Sequence, residues 1–141
     1  MAWTTADDVT AAWIAPPEAP SDTDQIELWI DKAERMLRRR VPDLQARIDA
    51  EAEAEPASTE LKKSAVDVVV AMVIRVFRNP AGIRQENETQ GPFTTSKTYG
   101  GDVPGGLDVT EDEMAGLQGV APGAFSIDLI PSTSPFYQTD A

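Results

Sequence analysis

Three groups of carboxylates lie close enough in sequence to share a metal ion or to divide acid and base roles: Asp7 with Asp8, Glu86 with Glu88, and Glu111-Asp112-Glu113. No histidine or cysteine accompanies them anywhere in the 141 residues. That removes imidazole and thiolate zinc sites, disulfides, and the Ser–His and Cys–His pairs of nucleophilic catalysis. The first and third groups open candidate helices, where the helix dipole favours acids in any case. No Asp-x-Asp-x-Asp-Gly run forms a calcium loop. Gly100-Gly101 and Gly105-Gly106 are not followed by the Lys-Ser/Thr of a phosphate loop, and Asp102 and Pro104 lie among them, so they read as turn glycines. Arg35, Arg38, Arg39 and Arg40 cluster at a candidate helix end, ahead of the acid-rich stretch 41–56. With 24 acidic against 12 basic residues, the net charge is −12, which opposes a grip on nucleic-acid phosphates. The expectation is a protein that is not an enzyme and carries no cofactor or metal.

The elements that would position these residues are mostly helical. Thr4 or Thr5 can cap a short helix with Val9, Ala12 and Trp13 on its apolar side, ended by Pro16 and Pro17. Residues 22–40 place Ile26, Trp29, Ile30, Ala33 and Leu37 on one helical face, behind a Ser21–Asp24 capping pair. Residues 43–54 carry Leu44 and Ile48 inward and end in an exposed acidic run, Glu51, Glu53 and Glu55. Residues 59–78, capped by Ser58 or Thr59, hold two apolar stripes: Leu61, Ala65, Val68, Met72, Val76, and Val66, Val69, Val70, Val73, Phe77. A helix apolar on two sides is central to its fold or packs on a second subunit. The β-branched run Val66–Val76 makes a buried strand the rival reading, and length and caps favour helix. Phe93–Tyr99 reads as a strand, with a hairpin or loop over about 84–106 and no defined partner strand. Thr110 and Glu113 form a capping box for a short helix that buries Met114 and Leu117. The fold class is therefore mainly α: a small helical bundle around one long central helix, occupying 1–118. From 119 to 141 an extended C-terminal arm carries Phe125, Ile127, Leu129, Phe136 and Tyr137 as apolar beads. Trp13 and Trp29 are expected in the core, and Trp3 is a candidate contact with a neighbouring chain. No apolar run is long enough to cross a membrane, and the first residues lack the pattern of a signal peptide.

Several stretches together resemble one family. Residues 33–44 read Ala-Glu-Arg-Met-Leu-Arg-Arg-Arg-Val-Pro-Asp-Leu, the long helix ends Arg78-Asn79-Pro80-Ala81-Gly82-Ile83-Arg84, and Val-Thr-Glu-Asp-Glu-Met-Ala-Gly-Leu follows at 109–117. This pattern is similar to the Gp19/Gp15/Gp42 family of tailed-phage head-to-tail connector (adaptor) proteins, over roughly residues 5–130. The chain departs from it at Val109, where the family has Leu, and at Gly91–Thr95, where many relatives are rich in aromatics. The resemblance implies a structural virion protein made in the host cytoplasm and placed in the neck of the particle. Copies would form a ring, twelvefold in the family pattern, joining the portal protein to the head–tail stopper or tail terminator. Genomic DNA would pass through the lumen without sequence-specific binding, and no membrane is involved. The implied subunit or portal contacts are Trp3, Arg78, Asn79, Pro80, Gly82, Arg84, Phe93, Tyr99, Phe125, Ile127, Leu129, Phe136 and Tyr137, with both arginines expected to pair with a neighbour's acids. Another neck component, a free acidic interaction module and a carboxylate-dependent hydrolase are the alternatives.

Overall fold

The computed structural model describes residues 2–98 and 105–118. Its elements run α1 (Ala6–Ala12), α2 (Thr23–Arg40), α3 (Leu44–Glu53), α4 (Glu60–Arg78), β1 (Gln85–Gln90), β2 (Phe93–Thr98) and α5 (Glu111–Leu117). The expected mainly helical fold around one long helix is the one observed. Tyr99 and the arm 119–141 lie outside the described residues, so the expectations placed on them are not addressed.

Local chemistry starts each helix. Thr5 and Asp8 close a capping box on α1, and Thr110 and Glu113 close one on α5. At α2 the cap is Asp22, which accepts from the Gln25 N–H, and not the expected Ser21, because the helix begins one residue later. Of the two expected caps of α4, Thr59 makes no side-chain cap bond, and the Ser58 hydroxyl accepts only the Glu60 N–H, at 3.3 Å. Instead Glu51 reaches across from α3: its carboxylate accepts the Leu61 N–H at 3.1 Å and its carbonyl accepts the Ser58 N–H at 3.1 Å. Glu51 is thus not simply part of an exposed acidic end; it closes the α3–α4 corner by satisfying donors that a helix start leaves orphaned.

Helix α4 is the centre of the bundle and packs against α1, α2, α3 and α5. Ala65, Val68, Val69, Val70, Met72, Val73 and Val76 are all buried on it. The 19-residue run without Gly or Pro decides for helix over strand, because packing on several sides outweighs the modest propensity cost of valine. Of the two readings open for its second stripe, the centre of the fold or a second subunit, the first accounts for Val69, Val70 and Val73, which are covered by the chain's own helices, with Val66 and Phe77 partly so. Ile26, Ile30, Ala33 and Leu37 of α2, Leu44 and Ile48 of α3, Val9 of α1, and Val109 and Leu117 complete the core. Burying one side chain of this size contributes about 2 kcal/mol. Trp13 and Trp29 are only partly buried, whereas Trp3 is inside.

The polar segment after α4 folds as an antiparallel hairpin, with Gln85 opposite Thr98 and Gln90 opposite Phe93. The two-residue loop is Gly91-Pro92. A positive φ of 61° at Gly91 followed by the fixed negative φ of proline is the sign pattern of a II′ turn, whose twist suits a hairpin. Each strand has six residues, and every one of them is exposed.

Candidate functional site

The expected site residues around the end of α4 gather into one structural knot. Asn79 is buried, and its side chain clasps the loop that follows: Nδ2 donates to the Ile83 carbonyl at 2.7 Å and Oδ1 accepts the Ile83 N–H at 2.9 Å. The Gly82 N–H donates to the Asn79 carbonyl at 3.0 Å, and Gly82 takes a φ of 66°. Pro80, Gly82 and Arg84 stay exposed around this clasp. Arg78 makes its contacts within its own chain. Its guanidinium donates to the Ile14 carbonyl and stacks 4.6 Å above the Trp13 ring, whose Nε1 donates to the Pro17 carbonyl at 2.7 Å. The basic residue at the helix end therefore anchors the α1–α2 linker, an arrangement that also suits the helix dipole.

Gly105, which reads in the sequence only as a turn glycine, completes the knot. At φ 68° its α-carbon sits so close to the turn that a Cβ there would meet the Asn79 carbonyl oxygen at 1.9 Å and the Gly82 Cα at 2.9 Å. The glycine pattern carried a signal, since close backbone approach is one of the two reasons for a glycine. The hairpin thus rises from a base where the chain leaving α4 and the chain returning to α5 touch.

The return is fixed by Arg75. This half-buried arginine meets Glu113 at 2.7 and 3.0 Å and donates to the Asp108 carbonyl at 2.7 Å. Burial by itself would raise the Glu113 pKa, but the Arg75 hydrogen bonds and charge, with the Thr110 backbone N–H and hydroxyl, outweigh it and hold the carboxyl below its usual value. A lone arginine within the apolar run Val73-Ile74-Arg75-Val76-Phe77 was the available sign of such a partner. On the opposite side, buried Glu34 accepts the backbone N–H groups of Trp3 and Thr4, each at 2.8 Å. Trp3 donates from Nε1 to Gln45 at 2.9 Å and lies under Arg38, 4.2 Å from the ring centroid. Trp3, the candidate contact with a neighbouring chain, is held by its own α2 and α3, because Glu34 and Gln45 offer its polar groups partners inside.

The carboxylate groups do not converge on a common centre. Asp8 serves the Thr5 cap, Glu113 serves Arg75 and Thr110, and Glu86 and Glu88 share one hairpin face with Thr95 and Lys97. Among the described residues no group of three or more acids could hold a metal ion. Those residues also form no helix long and apolar enough to cross a membrane. A few large apolar side chains also face outward: Phe93 is 77% exposed beside the hairpin turn, Ile14 is 76% exposed and Leu28 52%, with Ile83 less so. Ile14 borders a groove of about 520 Å³ with Ala12, Ala71, Ile74, Arg75 and Arg78. Of these outward residues the sequence reading named Phe93 alone as a contact; Leu28 lies off the buried α2 stripe, and that was its signal.

Comparison with known proteins agrees with the sequence pattern. Residues 16–123 match the family described as phage protein Gp19/Gp15/Gp42. The chain belongs to that family. It is 38% identical over 94 residues to the Gene 19 protein of Mycobacterium phage D29, spanning 67% of each chain. To the Gene 19 protein of Mycobacterium phage L5 it is 35% identical, again over 94 residues and 67% of each. The Gp19/Gp15/Gp42 match takes in the α4 turn, the hairpin and α5, while Trp3 and α1 precede it. The protein is a bacteriophage protein.

Proposed function

We propose that the chain is a structural virion protein of the phage neck, a connector whose copies form a ring joining the portal protein to the stopper or tail terminator. The observation that carries this reading is the hairpin: two strands with all residues exposed, rising from a closely packed base on a well-packed body. A two-stranded ribbon standing free in water is marginal, so such an element suits a subunit completed by others. Family membership supports the same role. The acidic balance of −12 suits a DNA conduit, since negative walls repel phosphates and let DNA pass without adhering. The ring is expected to work without a reaction of its own. Asp8 and Glu113 are used in caps and an ion pair, and the sequence holds no histidine or cysteine to supply other chemistry.

The test is light scattering after size exclusion, on this protein alone and mixed with the portal protein encoded by the same phage. Co-elution at a mass of one portal plus a ring of connector copies is the expected result. A connector that stays a small free species in the mixture overturns the reading in favour of a free acidic interaction module.

A further inference from the structure

The hairpin carries a more specific assignment. Counting back from the two-residue turn, the pairs Gln90/Phe93, Glu88/Thr95 and Glu86/Lys97 exchange their backbone hydrogen bonds within the hairpin. The N–H and C=O groups of Asn87 and Thr89 on β1, and of Thr94 and Ser96 on β2, therefore point away from the partner strand along two open edges. Both edges are solvent-exposed, and the hairpin contains no strand proline to block either. Open edges of this kind are templates for another strand. The side chains then decide which strand. Glu86 and Glu88 share one face with Lys97, so β1 is the acidic edge and β2 the basic one. Pairing β1 with β1 of another copy would set acids against acids, and pairing β2 with β2 would leave the glutamates unmatched. Pairing β1 with β2 of another copy brings Lys97 beside Glu86 and Glu88, and rotation about a ring axis keeps these side chains on the same face in every copy.

We propose that the β1 edge of one copy pairs antiparallel with the β2 edge of the next, so that the hairpins of the ring join into one continuous β-belt. The proposal rests on the ring reading above. The contact is heterologous, of the head-to-tail kind that generates closed rings, and it satisfies both edges of every copy at once. Phe93, at the start of β2 beside the turn, is carried to the rim of that belt, where each copy's exposed ring meets the next copy's turn.

The chain has no cysteine, so single cysteines report contacts cleanly. The full-length chain is made as Ser96→Cys with a size tag, and separately as Gln85→Cys, Asn87→Cys and Thr89→Cys. These three positions sample the registers that keep the faces matched. Each variant is oxidised alone and mixed with the tagged one, in complex with the portal protein, and the assembled mass is read in parallel by light scattering. The expected result is a disulfide-linked heterodimer in one of the three mixtures and no disulfide in any single-variant sample. Disulfides in single-variant samples would mark like-with-like edges and overturn the proposal. A ring-sized assembly with no disulfide in any mixture would overturn edge pairing and leave the ring reading standing. A chain that never assembles would overturn both.

Discussion

At the scale of single residues, charged groups in this protein act as internal ties. Glu34 is the clearest. Its carboxylate is the acceptor for two backbone N–H groups that are otherwise sealed from water, so Glu34→Ala strands both. The expected cost is about 3 kcal/mol, read as a fall in the chemical-denaturation midpoint with unchanged slope. Loss of N-terminal order would accompany it, visible as a shift of Trp3 fluorescence. Glu113 makes a prediction in pH. Its carboxyl is held below the usual value in the folded chain, so it contributes stability that is fully present above the ordinary glutamate pKa of about 4.3. That contribution is lost as pH falls from there through the lower folded value. Glu113→Gln should flatten this part of the acid-denaturation curve, and an unchanged curve would show that the Arg75 pair adds nothing to stability. Gly105→Ala should cost about 2 kcal/mol or more, because backbone and not a movable side chain occupies the space and the φ is left-handed. A thermal melt matching that of the parent would refute the close approach.

At the scale of elements, the helices were legible and the hairpin was half so. The stripes of α2 and α4 repeat at helical spacing, and the Thr110–Glu113 box names its own position. The β2 strand was visible through Phe93 and its threonines. Its partner was not, because Gln85-Glu86-Asn87-Glu88-Thr89-Gln90 has no apolar alternation to betray a buried face, and indeed neither face is buried. The turn after α4 was legible as a turn, while its bonding within the chain was not. Arg78, Asn79, Pro80 and Gly82 do form one turn, yet Arg78 turns inward to a carbonyl and a tryptophan, partners that no charge pattern announces. The hold on Trp3 was not legible, because closeness to a terminus says nothing of the acceptors waiting on α2 and α3. The same separation of hairpin from core gives a test. Replacing 85–98 by a short Gly/Ser linker removes no buried side chain. The melting temperature of the body should therefore stay within a few degrees of the parent, while co-elution with the portal protein is lost. A large drop in melting temperature would mean that the hairpin belongs to the core.

At the scale of the whole molecule, net charge and assembly pull against each other. Each copy carries −12, so drawing copies into a ring concentrates like charge. Association of the free protein is expected to strengthen between about 20 mM and 300 mM salt as that repulsion is screened over a Debye length that shortens below about 10 Å. Light scattering across the series checks this, and a fall in mass with salt would instead make attractive ion pairs the dominant force. The base of the hairpin has one more consequence. Because Gly82 and Gly105 touch, the intervening chain begins and ends at the same point in space, and its length is decoupled from the geometry of the helices. Lengthening such a closed excursion costs the body little, about 0.6 kcal/mol for each doubling. The turn at Gly91-Pro92 is thus a permissive graft point, where a foreign peptide could be displayed from a phage protein without rebuilding the scaffold beneath it.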